Sequence, residues 1–313
     1  MNTVDIVVPC YNEAENLPRL FEEYESLIEK NSTYQFNLIL VDNGSTDDTL
    51  TLALNFIETR KNVVCLELSR NFGKEASLTA GLGFSKSQIV IPMDADLQDP
   101  MSIVPILLMK WDESGADVVL GRRISRSEDT LFRRGFSKLY GTIFRNLSSV
   151  NLEPNVGEFR LMTRRVVDAF NQMPERERFV RGMLAWLGFR IEIIDYERPA
   201  RLGGTSSFNI FRLVELGVQG ITAFSTKPLR VATILGGFLS ICTGAYALYI
   251  FRLAIENKTG IPGYASILLT VLFLGSIQIV FLGFLGEYLG RVLLESKHRP
   301  NYVIREVYTN NAK

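Results

Sequence analysis

Two aspartates, Asp94 and Asp96, stand two residues apart directly after the apolar run 88–93. Carboxylates at this spacing repel each other unless a cation lies between them. Their oxygens suit Mg²⁺ or Mn²⁺, which also bind the oxygens of a diphosphate and keep some of their waters. Such a cation would neutralise charge on a departing diphosphate. The pair therefore predicts metal-assisted chemistry, and a helix-capping aspartate turn is the alternative.

A second acidic segment, LILVDNGSTDD at 38–48, follows another β-branched run. Gly44 allows a tight turn there, and Thr46 or Asp47 can cap the helix that follows. Asp42 is then left to hydrogen-bond a base or a ribose. Tyr11, Asn12 and Glu13 form a third polar group, after the first apolar run of the chain.

The elements that must position these residues alternate between short strands and helices. This alternation predicts an α/β fold with a mostly parallel sheet, in which ligands bind beyond the carboxyl ends of the strands. The three polar groups should therefore face one crevice. The predicted strands are 4–8, 38–41, 63–66 and 89–93, and the predicted helices are 13–29, 47–59 and 74–85.

A dinucleotide-binding dehydrogenase is an alternative, because Gly81 and Gly83 resemble the start of a glycine fingerprint. Lys86 stands where the third glycine would be, and the pair ends a predicted helix instead of opening one. The glycines therefore argue against that class.

Two long segments near the carboxyl end carry no charge, 231–251 and 259–286. Each can cross a bilayer as a helix of about 20 residues, with spans expected at about 231–252 and 264–286. A buried core helix is the alternative, although soluble helices rarely run so far without a polar face. Basic residues outside the two spans outnumber those between them and place both termini in the cytoplasm, with no cleavable leader. The outer group is Lys227, Arg230, Arg291, Lys297 and Arg299, against Arg252 and Lys258 between the spans.

Residues 130–147 form a predicted amphipathic helix whose polar side is basic, with Arg134, Lys138 and Arg145 close together on a helical wheel. A solvated charged face is the alternative. Beside a bilayer, such a stripe suits lipid headgroups or a phosphate. A second amphipathic segment, 207–224, is predicted to lie in the membrane interface.

Composition limits the chemistry further. The 34 basic and 34 acidic residues cancel, and the chain has one histidine, His298, and three cysteines without a metal-ligand spacing. A histidine triad or histidine metal site is therefore not expected, and a reduced cytosolic setting fits the cysteines. Catalysis should use carboxylates, a cation or basic side chains. Nucleic acid is not expected as a partner.

The chain resembles family 2 glycosyltransferases of the GT-A fold through PCYNEAENL at 9–17, VDNGSTDDT at 41–49, RNFGKEASLTAGL at 70–82 and DADLQDP at 94–100. NVGEFRLM at 155–162, FSTKPLR at 224–230 and GEYLGR at 286–291 resemble more closely the bacterial and prophage bactoprenol glucosyltransferases of O-antigen glucosylation, which are related to dolichyl-phosphate mannose synthases. The resemblance covers nearly the whole chain.

The resemblance implies an inverting sugar transfer from a nucleotide diphosphate, with UDP-glucose preferred, to undecaprenyl phosphate at the inner membrane of a bacterium. It implies Asp96 and Glu158 as catalytic residues and Asp94, Asp96 and Gln98 as ligands of Mg²⁺ or Mn²⁺. The implied nucleotide-sugar residues are Pro9, Tyr11, Asn12, Glu13, Asp42, Lys74, Asp94, Ala95 and Asp96, and the implied lipid-phosphate residues are Arg133, Arg134, Lys138, Arg145 and Arg201.

The chain departs from the family pattern at two positions. Glu158 stands where many relatives have aspartate, which alters the expected general-base geometry, and Ser207 stands where they often have lysine, which removes one phosphate contact. A phosphate monoester is already largely dianionic near neutral pH, since its second pKa is about 6. Glu158 is therefore expected to orient the acceptor rather than deprotonate it.

The predicted organisation is a glycosyltransferase domain at 1–205, an interfacial helix at 206–228, two membrane helices within 229–290 and a cytoplasmic tail at 291–313. By analogy, a flippase, a downstream glycosyltransferase and a tetrameric assembly are expected partners. Other donors, namely GDP-mannose, UDP-GlcNAc or UDP-galactose, are alternatives. Two other classes are also alternatives, a processive polysaccharide synthase and a membrane scaffold without catalysis. Residues 181–186 match the Gln-x-x-Arg-Trp signature of processive synthases only loosely.

Overall fold

A computed structural model describes residues 2–124, 153, 156–176, 178–197, scattered positions between 234 and 252, and 263–310. Eight strands within these residues form one mixed sheet, with the order β7-β5-β6-β4-β1-β2-β3-β8. The strands are β1 (Asn2–Cys10), β2 (Tyr34–Asp42), β3 (Val63–Leu68), β4 (Ile89–Pro92), β5 (Val118–Ile124), β6 (Val156–Thr163), β7 (Ile191–Glu197) and β8 (Ile304–Thr309).

Helices connect most of the strands and confirm the predicted alternation in the first hundred residues. The helix that carries Gly81 and Gly83 ends just after them, as expected. The described helices are α1 (Leu17–Lys30), α2 (Thr49–Thr59), α3 (Lys74–Phe84), α4 (Val104–Ser114), α5 (Arg164–Gln172), α6 (Val180–Trp186) and α7 (Tyr264–Ser296), with a 3₁₀ turn at Met101–Ile103.

The centre of the sheet is parallel, because β1 pairs in parallel with β2 and β4, and β2 pairs in parallel with β3. Cys10 lies opposite Asp42 in this register, so the loops after β1 and β2 leave the sheet side by side. Strand β6 breaks the pattern, since it runs antiparallel between β4 and β5. The mostly parallel sheet predicted from the sequence is confirmed.

Helices cover both faces of the sheet, and alternation along β1 shows how the strand serves both. Ile6 and Val8 pack into the core shared with α1, α2 and α4, while Val7 packs into the core shared with α3, α5 and α6. Because all three side chains are fully buried, the strand reads as a continuous apolar run, as buried parallel strands do.

Gly81 sets how closely α3 approaches the sheet. A Cβ atom built at this position would lie 2.3 Å from Cγ1 of Val7 and 3.1 Å from Cγ2 of Val41. Glycine is therefore required at this contact, because a methyl group would push α3 away from the strands that carry the polar loops.

The predicted cytoplasmic tail at 291–313 contains the end of α7 and strand β8. Strand β8 pairs antiparallel with β3 and forms one edge of the sheet. The reason is that the apolar strand β3 would otherwise leave a row of backbone groups unpaired. The end of the chain therefore belongs to the same sheet as its beginning.

Helix α7 contains 33 residues and is the one helix among the described residues that is long and apolar enough to cross a membrane. Its apolar side chains are exposed, with Ile267 at 67%, Ile279 at 71% and Leu289 at 69%. None of the apolar window 273–296 is buried against the rest of the protein, which argues against a soluble core helix. The span predicted at 264–286 thus coincides with the start of a longer helix.

Several predicted features lie largely or wholly outside the described residues. They are the first predicted span at 231–252, of which only scattered helical positions are described, the amphipathic helix 130–147 and the interfacial helix 207–224. Arg133, Arg134, Lys138, Arg145, Arg201 and Ser207 also lie outside the described residues.

Candidate active site

The loops after β1 and β2 are locked together by side-chain and backbone hydrogen bonds. Asn12 adopts the left-handed conformation, with φ 55°, which asparagine tolerates better than most residues. Its Oδ1 accepts the backbone N–H of Thr46 at 2.8 Å, and its own N–H donates to Oγ of Ser45 at 3.0 Å. These bonds give the two loops one fixed arrangement.

Asp47 and Thr49 fasten the same loops at a second point. The backbone N–H of Ala14 donates to Oδ2 of Asp47 at 3.1 Å, and the N–H of Glu13 donates to Oγ1 of Thr49 at 2.8 Å. Asp47 also accepts the N–H of Thr49, the first residue of α2, at 3.1 Å. Of the two predicted caps, Asp47 is therefore the side chain that accepts from the start of α2.

Asp42 ends β2 with a side chain that is nearly inaccessible, at 2% exposure. It accepts the backbone N–H of Ser45 at 3.3 and 3.4 Å, which is a weak partner for a buried carboxylate. Burial raises the pKa of Asp42 above its usual value. Nearby Tyr11 has 44% of its surface exposed, so its ring offers a face on which a base can stack.

The loop after β4 turns its first two aspartates toward the same crevice. Nζ of Lys74, the first residue of α3, lies 2.5 Å from Oδ1 of Asp94. Asp96 accepts the backbone N–H of Gln98 at 3.1 Å. Leu97 between them has φ 50° and is 3% exposed, a strained conformation for a leucine that its buried side chain holds in place.

The third aspartate of this loop, Asp99, is engaged by side chains from two other strands. It is 2% exposed and accepts two hydrogen bonds from Arg123, at 3.1 Å from Nε and 2.7 Å from Nη2. The hydroxyl of Tyr196 donates to the same carboxylate. Asp99 therefore ties the loop to β5 and β7 and is not available to a substrate.

Gly157 belongs to this cluster because a Cβ atom there would lie 2.6 Å from Nη2 of Arg123. Sequence reasoning missed both Arg123 and Tyr196 as residues that shape the site. Both residues contact Asp99, and the DADLQDP motif does not show that Asp99 has different partners from Asp94 and Asp96.

Glu13 brings a third acid near the aspartate pair. Its pKa is raised chiefly by burial, while a hydrogen bond from Asn16 lowers it and the charges of Asp96 and Asp94 raise it further. The three carboxylates thus lie within electrostatic range of one another. A site of this kind attracts cations.

The donor set fits a magnesium or manganese ion that is shared with a substrate. Among the described residues there is no group of three or more His, Cys, Asp or Glu side chains arranged to hold a metal alone. Mg²⁺ commonly takes only one or two protein carboxylates and completes its shell with substrate phosphates and water. Asp94 and Asp96 meet that requirement, with the amide of Gln98 on the same loop, and the Lys74 ammonium meanwhile balances Asp94.

Glu158 lies on β6, beside this crevice, and one of its oxygens lacks a partner. Oε2 is buried, has no hydrogen bond within the described part of the chain and lies 3.9 Å from Nη2 of Arg160. Arg160 instead donates to the carbonyl oxygens of Gly157 at 2.7 Å and Glu158 at 3.2 Å. Burial lowers the pKa of Arg160. A buried carboxylate oxygen without a donor is costly and is suited to receive one from a substrate.

Glu75 is a further acid that sequence reasoning missed. Its Oε2 accepts the backbone N–H of Val180, the first residue of α6, at 3.0 Å. Burial, followed by the charge of Glu158, raises the pKa of Glu75 to about 7. Lys74 is near both groups, since the charges of Asp94, Glu158 and Glu75 raise the pKa of its ammonium against the effect of burial.

The structure thus gathers the predicted nucleotide-sugar and metal residues at the carboxyl ends of β1, β2 and β4. Pro9 lies in β1 opposite Val41, and Ala95 is buried at 2% exposure between the two aspartates. The roles assigned to these residues stay predictions. The predicted lipid-phosphate residues lie outside the described residues.

Comparison with known proteins gives the wider setting. Residues 5–170 match the family model described as Glycosyl transferase family 2. The chain is 38% identical over 302 residues to the bactoprenol glucosyl transferase of Shigella phage SfV, covering 96% of this chain and 98% of the relative. It is 38% identical to a prophage bactoprenol glucosyl transferase homolog of Escherichia coli K12, with coverage of 97% and 99%. An uncharacterized glycosyltransferase of Synechocystis is 39% identical, with coverage of 97% and 95%.

Proposed function

The chain belongs to glycosyl transferase family 2, and we propose that it transfers glucose from UDP-glucose to undecaprenyl phosphate at the cytoplasmic face of a bacterial membrane. The observation that carries the proposal is the arrangement of Asp94, Asp96 and Lys74 beside the unpartnered oxygen of Glu158. The names of near full-length relatives support the choice of a glucosyl donor and a bactoprenol acceptor.

The donor would enter with its nucleoside in the crevice between the loops after β1 and β2. Tyr11 offers an exposed ring for stacking, and a base N–H would give the buried Asp42 carboxylate the strong donor it lacks. The diphosphate would then lie over the loop that follows β4. A Mg²⁺ or Mn²⁺ ion held by Asp94 and Asp96 would neutralise the charge of the leaving diphosphate there.

Lys74 has a specific part in this arrangement. Its ammonium lies 2.5 Å from Asp94 and can move to a diphosphate oxygen without losing that neighbour, since its side chain is 52% exposed. A lysine at this place supplies positive charge, and its stabilising effect increases as negative charge develops on the diphosphate while the sugar–diphosphate bond breaks.

In the transfer step, an oxygen of the lipid phosphate forms a bond to the anomeric carbon while the bond from that carbon to the diphosphate breaks. UDP leaves and the sugar inverts. No proton has to be removed from a dianionic phosphate, whose second pKa is about 6. Glu158 would then orient the sugar by accepting a hydrogen bond from a sugar hydroxyl at its free oxygen, and it would take the remaining proton of an acceptor that is still a monoanion.

The membrane arrangement follows from the return of the chain to its own sheet. Strand β8 pairs with β3, so residues on either side of the carboxyl-terminal apolar region lie in one domain. A chain that leaves and re-enters the same side of a bilayer must cross it an even number of times. With α7 as one crossing, we propose the uncharged segment 231–251 as the second.

The test uses the full chain in lipid nanodiscs that contain undecaprenyl phosphate. We expect release of UDP from UDP-glucose with Mg²⁺ or Mn²⁺ only when the lipid phosphate is present, and labelled glucose in the lipid fraction. Undecaprenol, which lacks the phosphate, is the matched acceptor control. UDP release without the lipid would indicate hydrolysis or another acceptor, and no release would indicate a scaffold.

The donor is settled by the same reaction with UDP-galactose, UDP-GlcNAc and GDP-mannose in place of UDP-glucose. A clear preference for one of these would replace glucose while leaving the acceptor assignment intact. Several sugars added to one lipid would indicate a processive synthase.

A further inference from the structure

Glu75 connects two elements that are far apart in sequence. It is the second residue of α3, directly after Lys74, and its Oε2 accepts the N–H of Val180 at the start of α6. Val180 itself is 1% exposed, so this hydrogen bond is shielded from water. The carboxylate therefore fixes where α6 begins relative to the lysine that pairs with Asp94.

Arg181 is the second residue of α6, and no described residue forms a hydrogen bond or ion pair with its charged group. Its side chain is partly buried. It nevertheless lies within electrostatic range of Glu75 and Arg160, whose pKa values its charge lowers. Arg160 is occupied by backbone carbonyl oxygens and Lys74 by Asp94.

Among the described residues, Arg181 is thus a partly buried cation beside the crevice that is near Glu75 but has no hydrogen-bonded or ion-paired acid. A partly buried guanidinium without a partner is unfavourable, and a phosphate is the substrate group that its fork of donors fits best. Both substrates of the proposed reaction carry phosphate.

We propose that Arg181 binds a phosphate group of a substrate and that Glu75 is a positioning residue, which holds Arg181 in place through its hydrogen bond to Val180. The proposal rests on the proposed function. It assigns roles to two residues outside the motifs that bind the nucleotide and the cation.

The first experiment compares Glu75→Ala, Glu75→Gln and Arg181→Gln in the lipid-phosphate transfer assay. Glu75→Ala and Arg181→Gln should each lower kcat/KM by about 10- to 100-fold, because small displacements of a positioning group can have such effects. Glu75→Gln keeps an oxygen acceptor and should recover most of the activity. The double variant Glu75→Ala/Arg181→Gln should be no worse than Arg181→Gln alone, because the first residue acts through the second.

A second pair of variants tests the hydrogen bond without touching Glu75. Val180→Pro removes the donor at the first position of a helix, where proline is tolerated, and Phe179 before it lies outside the helical region that proline disfavours, with φ −103° and ψ 89°. Val180→Ala keeps the donor and controls for the loss of the buried valine methyl groups. Val180→Pro should match Glu75→Ala, and Val180→Ala should stay close to the wild type.

The KM values identify the phosphate. A rise in the KM for the nucleotide sugar in Arg181→Gln assigns the arginine to the diphosphate, and a rise in the KM for the lipid assigns it to the acceptor. Unchanged KM and kcat values for Arg181→Gln, additive losses in the double variant, or a Glu75→Gln variant as poor as Glu75→Ala would each overturn the proposal. Failure of the wild type to glycosylate any polyprenyl phosphate would overturn the proposed function instead, and that control is run first.

Discussion

Asp99 offers the sharpest test of how the aspartate-rich loop divides its work. The change Asp99→Asn keeps the shape of the side chain but removes its charge and one acceptor oxygen. Arg123, whose side chain is 27% exposed, then faces an amide NH₂ group in place of one carboxylate oxygen. Tyr196 also loses its charged acceptor.

The expected cost follows from the burial of the two partners. Breaking a fully buried ion pair by removing one member costs about 3–5 kcal/mol. Because water can still reach about a quarter of the Arg123 side chain, part of that cost is recovered, and we expect the free energy of unfolding to fall by about 2–3 kcal/mol. For a domain of this size that corresponds to a decrease in Tm of roughly 4–12 °C.

The assay is thermal unfolding of the full chain in detergent, followed by tryptophan fluorescence, together with turnover measured well below the Tm. Asp96→Asn is the matched control, because it is the same substitution three residues earlier. Asp96 is partly exposed and accepts only the Gln98 N–H among the described residues, so its Tm should change little while turnover is lost.

Two results would refute this reasoning. If Asp99→Asn keeps the wild-type Tm, the Arg123 pair does not hold the loop. If it loses turnover at a temperature where it is fully folded and binds nucleotide normally, Asp99 takes part in the chemistry and the division between the aspartates is wrong.

Three further predictions concern neighbouring residues. Glu158→Gln should keep measurable lipid-phosphate transfer while Asp96→Asn loses nearly all of it, and equal losses would contradict the orienting role of Glu158. Burial raises the pKa of Glu75 in the folded protein to about 7, against an ordinary value of 4.5, so folding favours its protonated form. Its contribution to the free energy of unfolding is therefore complete below pH 4.5 and is lost as the pH rises through 7. Glu75→Gln should flatten that part of the curve of Tm against pH, and an unchanged slope would count against the raised pKa. Gly81→Ala should lower the free energy of unfolding by about 1–3 kcal/mol through its contact with Val7, measured by urea unfolding, whereas the control Gly83→Ala meets only the Tyr302 hydroxyl at 3.2 Å and should cost less.

The central part of the fold was predictable because its signals are local. Strands β1 to β4 are apolar runs separated by helical periodicity, and a parallel sheet brings their carboxyl ends together without further information. The edges of the sheet were not predictable in the same way. Strand β6 inserts between β4 and β5, and β8 joins β3 from the far end of the chain, so their positions depend on long-range pairing.

The candidate site shows the same limit at the level of single residues. The motif identified Asp94 and Asp96, yet nothing in the sequence distinguishes them from Asp99, which faces Arg123 instead of the crevice. Glu75 was missed because its partner, the Val180 N–H, is 105 residues away and belongs to the backbone. Residue type and spacing identify candidate carboxylates, but the hydrogen-bond donor that each carboxylate contacts depends on the fold.

The path from the membrane helix back into the sheet links the two halves of the proposed reaction. Helix α7 has 33 residues, so it is about 50 Å long, whereas the hydrocarbon core of a bilayer is about 30 Å thick. In the proposed membrane arrangement, an untilted helix of this length would extend several turns beyond the hydrocarbon core. The Arg176 backbone N–H donates to Glu295 near the helix end, and β8 follows within a few residues.

Strand β8 is in turn fixed to β3, which pairs with β2 at the edge of the candidate site. Arg305 and Tyr308 both donate to Glu67, at 2.7 and 2.9 Å, and Glu67 lies opposite Asp42 in the register of β3 and β2. A flexible hinge between α7 and β8 would allow the candidate site to tilt relative to the proposed membrane helix. Strand pairing and the shared Glu67 carboxylate instead hold β8 against the sheet that carries the aspartate pair, so the proposed membrane helix leads directly into the domain that contains the candidate site.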